Sequence, residues 1–137
     1  MNNKKKNDGM GWVYSKTVKD HFLNPRNIVK TDIPKWEFNG EGEVGSPACG
    51  DVMKVWIAVE DNLINNIGWK TFGCASAIAS TSMMSEMVLG LKLSEAKKIT
   101  AKMIIERLGG LPTQKIHCSV LGDQALKKAI EDYEQKK

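Results

Sequence analysis

Three cysteines are the only thiols of this 137-residue chain, and each sits in a short, chemically loaded context. They read Pro47-Ala48-Cys49-Gly50-Asp51, Gly73-Cys74-Ala75-Ser76-Ala77 and Lys115-Ile116-His117-Cys118-Ser119. Each has a glycine or a hydrophilic ligand type beside it. Two bring a second potential ligand, Asp51 and His117. Three thiolates with one carboxylate and one imidazole form a donor set for a soft metal ion or an iron–sulfur group with one replaceable position. That replaceability separates a site that holds a metal for good from one that passes it on.

The spacing narrows the chemistry. There is no C-x-x-C, so the chain is not an ordinary zinc ribbon, a thioredoxin-type redox pair or a bacterial ferredoxin. Cys74 follows Cys49 by 25 residues and Cys118 follows Cys74 by 44. Ligands so dispersed require the fold to exist before the metal does. Each candidate also has a plainer alternative. A lone cysteine is commonly a small buried hydrophobe, and Cys74 runs into the core-like Ala75-Ser76-Ala77-Ile78. Asp51 could be a strand-entry residue and His117 a surface histidine. His21 reads as a surface histidine without a role, and Met83, Met84 and Met87 as core at helical spacing.

The elements that must position these groups are legible in outline. Ser15 is a good N-cap for a helix to about Leu23, with Val18 and Phe22 as its buried face and Asn24-Pro25 as its end. Arg26 to Gly42 is a polar connection anchored by Trp36 and Phe38. Asp51 to Glu60 alternates, with Met53, Val55, Ile57 and Val59 on one face and Val52, Lys54, Trp56 and Ala58 on the other. Glu60-Asp61-Asn62 turns it into a second strand, Leu63 to Phe72, making an antiparallel hairpin. Glu43 to Ser46 adds a short third strand. A helix follows from Ala75 to Leu89, with Ala77, Thr81, Met84 and Val88 as its stripe and Gly90 as its stop. Ser94 caps a helix through Ile99, and further turns reach Leu108 before Gly109-Gly110-Leu111-Pro112 breaks the chain. The last helix runs from about Ser119 to Glu134, with Leu126, Ala129, Ile130 and Tyr133 as its apolar face. The expected fold is α+β: a small antiparallel three-stranded sheet with helices packed on one face. Cys49 and Asp51 then enter the first long strand, while Cys74 and Cys118 precede helices, whose N-termini favour thiolate over thiol. All of them would converge at one end of the sheet.

Bulk composition bounds the rest. At 42% hydrophobic residues, the chain is expected to fold as one domain, residues 12–137, behind a disordered tail, residues 1–11. The net charge of +4 is mild, and the tail (Lys4, Lys5, Lys6, Asp8) supplies half of it. That leaves no electrostatic footprint for nucleic acid. An odd cysteine count without a secretory signal points to a reducing compartment, and the tail lacks the arginines of a mitochondrial presequence. No apolar run is long enough to span a membrane. The expected location is the cytoplasm.

These residues carry a resemblance. The stretches Tyr14-Ser15, Asn24-Pro25-Arg26-Asn27, Gly45 to Val55, Lys70 to Ser80 and Lys115 to Leu121 resemble the IscU/NifU-type iron–sulfur cluster assembly scaffolds, in order, from about Val13 to Tyr133. The resemblance implies a protein, not itself an enzyme, on which a transient [2Fe–2S] cluster is built from iron and persulfide sulfur and then released to apo iron–sulfur proteins. It implies Cys49, Cys74 and Cys118 as cluster ligands and Asp51 or His117 at the fourth position. Cys118 would accept sulfur from a cysteine desulfurase, with Lys115 assisting. A ferredoxin-type reductant is a further implied partner, and a frataxin-like protein and Hsp70/J-type chaperones are partner classes it brings in. Leu111-Pro112-Thr113-Gln114-Lys115 departs from the Leu-Pro-Pro-Val-Lys motif read by a dedicated chaperone. His117 before Cys118, and the absence of a long insertion between Cys74 and Cys118, favour the IscU-like over the SufU-like branch. The state would be a monomer or a cluster-linked homodimer.

Three rival readings remain beside the scaffold. The same ligands could hold zinc in a zinc-dependent sulfur-transfer partner of a desulfurase, since zinc accepts Cys₃His or Cys₃Asp. A cysteine hydrolase on Cys118 and His117 ranks low, because adjacent residues make poor nucleophile–base partners and no orienting acid is evident. A metal-stabilised interaction domain would lose its fold on chelation.

Overall fold

The computed structural model describes residues 15–46, 51–72, 75–110 and 116–136, so the tail, Cys49, Cys74 and Lys115 lie outside the described residues. In chain order the elements are α1 (Lys16–Leu23), β1 (Gly40–Ser46), β2 (Asp51–Glu60), β3 (Leu63–Thr71), α2 (Ala75–Val88), α3 (Leu93–Ala96), α4 (Ala101–Leu108) and α5 (Ile116–Lys136). The three strands form one antiparallel sheet in the order β1-β2-β3. The α+β expectation holds. The short third strand is longer than expected, because Gly40 to Gly42 continue the pairing with β2.

The sheet follows from alternation and a tight turn. Val55 pairs with Trp69 and Ile57 with Ile67, so Met53, Val55, Ile57, Ile67 and Trp69 share one buried face. Glu60 pairs with Leu63 across Asp61 and Asn62, both at positive φ (55° and 64°). Two left-handed residues make the type I′ turn whose twist matches a two-residue hairpin, and Asp and Asn tolerate it best after glycine. On the opposite face Trp56 is fully buried, with Phe38 edge-on at 6.4 Å and Trp36 edge-on to Phe38 at 6.5 Å. The 26–38 connection therefore covers the sheet face that no long helix covers, as Trp36 and Phe38 predict.

Helix α5 lies against β1 and β2, and glycine makes that approach possible. A Cβ on Gly40 would stand 2.5 Å from the Ala129 carbonyl oxygen, and one on Gly42 2.6 Å from the Ala129 nitrogen. Both obstacles are backbone and cannot rotate away. Helix α2 is enclosed more fully than its expected stripe. Besides Ala77, Thr81, Met84 and Val88, it buries Ser76, Ala79, Ser80, Ser82, Met83 and Ser85. Its small Ser and Ala side chains let α1, α4 and α5 pack closely around it, leaving Glu86 exposed.

Three expectations need correction. Ser94 does not cap a helix through Ile99. The cap is Lys92, whose N–H donates to Glu95 Oε1 (3.3 Å), and the helix stops at Ala96. Thr100 then caps α4, its Oγ1 accepting from Met103 N at 3.3 Å. The last helix begins at Ile116 rather than Ser119, because its buried seam of Leu121, Ala125, Leu126, Ala129 and Ile130 has a full turn of chain before it. His21 is not at the surface: it is 3% exposed. It lies three residues after Val18, on the same α1 face, and that spacing was its signal.

His21 is the centre of a polar brace. Its Nδ1 is 2.7 Å from Ser82 Oγ, and its Nε2 is 3.3 Å from Glu86 Oε1. Ser82 Oγ also accepts the Arg26 backbone N–H at 2.9 Å. The arrangement suits a neutral ring with its proton on Nε2, Ser82 donating to Nδ1. The Asn-Pro-Arg-Asn segment is held by the same brace. Trp69 Nε1 donates to the Arg26 carbonyl (2.7 Å), Val29 N to Trp69 O (2.8 Å), and Asn27 Nδ2 to Ser85 Oγ (2.9 Å). Burial, followed by the neighbouring Arg26 charge, lowers the His21 pKa below its usual 6.5, against the opposing pull of Glu86 and Asp20. A histidine whose pKa falls on folding binds fewer protons folded than unfolded. Its stabilising contribution is complete above the unfolded value and is lost as pH falls from there through the lowered folded value. Acidification from about pH 8 to pH 5 should therefore lower the urea midpoint, and His21→Gln should flatten that dependence while costing stability at the alkaline end. An equally steep dependence in the variant would remove His21 as its source.

Candidate functional site

The described residues fix where the chain enters and leaves each cysteine context. Ser46 pairs with Asp51, which begins β2, and Cys49 lies in sequence between them. At the same end of the sheet, Phe72 N donates to Val52 O (3.1 Å) and Thr71 Oγ1 to the same carbonyl (2.7 Å). Cys74 lies in sequence between Phe72 and Ala75, the first residue of α2. His117 and Cys118 occupy the second and third positions of α5, within its first turn rather than in the preceding loop.

Both long helices start at this end. Helix α2 runs away from Phe72 and finishes where Gly90 N donates to Ile64 O (2.8 Å), near the Asp61-Asn62 turn at the sheet's other end. Helix α5 runs antiparallel to β1: Gly40 lies against Ala129, Gly42 against Ala125 and Ala129, and Glu41 N donates to Asp132 Oδ2 at 3.0 Å. Advancing along β1 means retreating along α5. From Gly42 to Ser46 the strand covers about 13 Å, equal to nearly nine residues of helix counted back from Ala125. Ser46 is thus level with the first turn of α5. The paired ends of β1 and β2, the end of β3 and the starts of α2 and α5 converge at one end of the sheet.

This convergence has chemical consequences. The first turn of a helix has amide N–H groups without helical acceptors and the positive end of the helix dipole, both favouring an anion. Cys118 stands in such a turn. Beside this end Phe72 is 73% exposed, a large aromatic open to solvent. Lys54 pairs with Lys70 across the strands nearby; Lys54 Nζ reaches Glu43 (3.7 Å) and lies 5.5 Å from the Trp56 ring centre. Neither the exposure of Phe72 nor the brace around Arg26 has a strong local signal in the sequence; the apolar side chain next to Gly73-Cys74 is the signal for Phe72. Among the described residues no helix is long and apolar enough to cross a membrane.

Comparison with known proteins places this geometry in context. The profile of the NifU-like N-terminal domain matches residues 13–137. The chain is 51% identical over 124 residues to the iron–sulfur cluster assembly scaffold protein IscU 1 of Archaeoglobus fulgidus, covering 90% of this chain and 78% of that protein. It is 49% identical over 125 residues to the IscU scaffold protein of Rickettsia prowazekii, covering 90% and 94%. The fold also matches the crystal structure of a NifU-like N-terminal protein from Brucella abortus, with a TM-score of 0.70, 19% identity, and coverage of 91% of this chain and 96% of that one. At that identity the match speaks to fold alone.

Proposed function

This chain belongs to the NifU-like N-terminal domain family, and on that premise we propose that it is a scaffold on which an iron–sulfur cluster is assembled and from which it is handed on. The observation that carries the reading is the common origin of α2 and α5 at the sheet end where Ser46 meets Asp51. Cys49, Cys74 and Cys118 are the proposed ligands, with Asp51 or His117 at the fourth position. The cluster is cargo, a [2Fe–2S] unit made from iron and sulfur and then given up. Iron–sulfur scaffold relatives at about half identity support the general function.

In the proposed sequence, the Cys118 thiolate attacks the outer sulfur of a persulfide on a cysteine desulfurase. A new Cys118 S–S bond forms, the desulfurase S–S bond breaks, and the desulfurase thiolate leaves with its electron pair. Each sulfur so delivered is at the sulfane level and needs two electrons to become sulfide, so a ferredoxin-type reductant is the fitting electron source. Lys115, which precedes α5 in the sequence, is proposed to assist metal or sulfur handling. Iron relieves the repulsion of gathered thiolates, so loading should raise stability. Apo iron–sulfur proteins receive the product, and the exposed Phe72 offers a partner an apolar contact beside the site. The thiol chemistry suits a reducing compartment such as the cytoplasm.

The test is anaerobic reconstitution with iron, cysteine and a catalytic amount of desulfurase, followed by absorption and Mössbauer spectra and addition of an apo-ferredoxin. A [2Fe–2S] signature that moves to the ferredoxin is the expected result. If no cluster forms and the protein instead accelerates the desulfurase only when zinc-loaded, the zinc-dependent sulfur-transfer reading replaces this one.

A further inference from the structure

Helices α2 and α5 pack closely at Gly122. A Cβ placed on Gly122 would stand 2.7 Å from Thr81 Oγ1, 3.3 Å from Thr81 Cβ and 3.4 Å from Thr81 Cγ2. Thr81 is fully buried, and its hydroxyl has no hydrogen-bond partner among the described residues. A buried hydroxyl without a partner costs free energy that a hydrogen bond would offset, so an explanation is needed for its presence. Its volume supplies one: Thr81 fills the notch that Gly122 leaves. Because threonine is branched at Cβ, its χ1 in a helix is restricted to two rotamers, and in the one observed the hydroxyl acts as a stop against Gly122.

The stop is equally distant from both helix starts. Thr81 is six residues beyond Ala75, and Gly122 is six beyond Ile116. At the helical rise each lies about 9 Å from its helix start. Both helices begin at the same sheet end, so a change of separation at the stop passes to both starts with little leverage either way. In the sequence, residue 74 immediately precedes α2 and residue 118 is the third residue of α5.

We propose that the Gly122–Thr81 contact is a positioning device that sets the spacing between the starts of α2 and α5, and through it the spacing of the Cys74 and Cys118 thiols. Its purpose rests on the scaffold reading; its geometry does not. An alanine at position 122 must move from 2.7 Å to the 3.4 Å of ordinary contact, so the helices part by about 0.7 Å unless Thr81 yields. That exceeds the roughly 0.5 Å within which a ligand constellation must be held. Thr81→Ala removes the stop and lets the helices close.

The test uses the full chain. In a Cys49→Ser background, Cys74 and Cys118 are the two remaining thiols, and a graded series of bis-maleimide cross-linkers reads their spacing without any cluster. Gly122→Ala should cut the yield with the shortest effective linker several-fold, and Thr81→Ala should raise it. The double variant Gly122→Ala/Thr81→Ser should return it to the parent value, because a serine without the methyl can turn its hydroxyl aside. With all three cysteines present, the reconstituted Gly122→Ala protein should lose its cluster several-fold faster, and the double variant should recover. Unchanged linker yields in both Gly122→Ala and Thr81→Ala overturn the proposal, as does a double variant that behaves like Gly122→Ala. If Gly122→Ala fails to fold, Thr81→Ala decides alone, since increased short-linker yield has no counterpart in general destabilisation. A protein that forms no cluster in any version defeats the scaffold reading while leaving the linker result standing.

Discussion

Cys118→Ser should abolish acceptance of sulfur from a desulfurase, a loss of at least two orders of magnitude in persulfide formed per minute. The nucleophile in persulfide exchange is the thiolate. An alcohol of ordinary acidity offers almost no alkoxide near neutral pH, and an oxygen–sulfur link is not the product the pathway uses. Position matters beyond residue type. Cys118 is the third residue of α5, where unsatisfied amides and the helix dipole lower the cost of a negative sulfur. Cys49 lies in the context between paired strands, without a helix start following it. The expected result is therefore asymmetric. Mass spectrometry after incubation with desulfurase and cysteine should find one added sulfur on the parent and on Cys49→Ser, and none on Cys118→Ser. Persulfide persisting on the Cys118→Ser protein would show that another thiol receives the sulfur. The stability of the variant serves as control, since a serine in the first turn is well tolerated by a helix.

How much of this was legible before the structure depends on which physical signal each part leaves in the chain. Strand β2 was legible to the residue because alternation is a strong local pattern and one face meets a core. The Asp61-Asn62 turn was legible because few residue pairs adopt two positive φ angles. The ligand types were legible because cysteine, aspartate and histidine announce their chemistry by composition. What stayed hidden was non-local. His21 looked like a polar residue on a short helix, yet Ser82 and Glu86, some sixty residues on, supply the partners that let it be buried. The start of α5 lies earlier than the expected Ser119, and the buried seam that anchors the helix is packed against β1 and α2, contacts the local sequence does not show. The notch at Gly122 could not be seen at all, since a glycine in a helix reads as a weakness until Thr81 is known to fill its place. Contacts of this kind depend on which helices meet, and a single sequence does not say.

Asp51→Ala should give a cluster that survives longer and transfers more slowly, by roughly tenfold in each case, an effect of about 1.4 kcal/mol. A carboxylate is a hard ligand for cluster iron, weaker than thiolate, so it marks the place where the cluster is easiest to open. An incoming thiolate from an apo-protein must displace something, and the weakest link sets the barrier. Asp51 is the first residue of β2 and pairs with Ser46, so its backbone is fixed by the sheet. Removing the carboxylate leaves His117 or solvent to complete the iron. An imidazole at that position binds iron more firmly than a carboxylate in the same softness order. Either way the exchangeable group that a recipient would displace is gone, and the route to transfer narrows. The measurement pairs two rates on the same reconstituted sample: decay of the cluster absorption in the presence of a chelator, and appearance of holo-ferredoxin. Slower values for both place Asp51 at the exit. If decay is unchanged while transfer slows, Asp51 acts on the recipient rather than on the iron. Equal half-lives and equal transfer rates in the two proteins remove it from the site, and the fourth position then falls to His117, with His117→Ala as the variant to carry the slow-release behaviour.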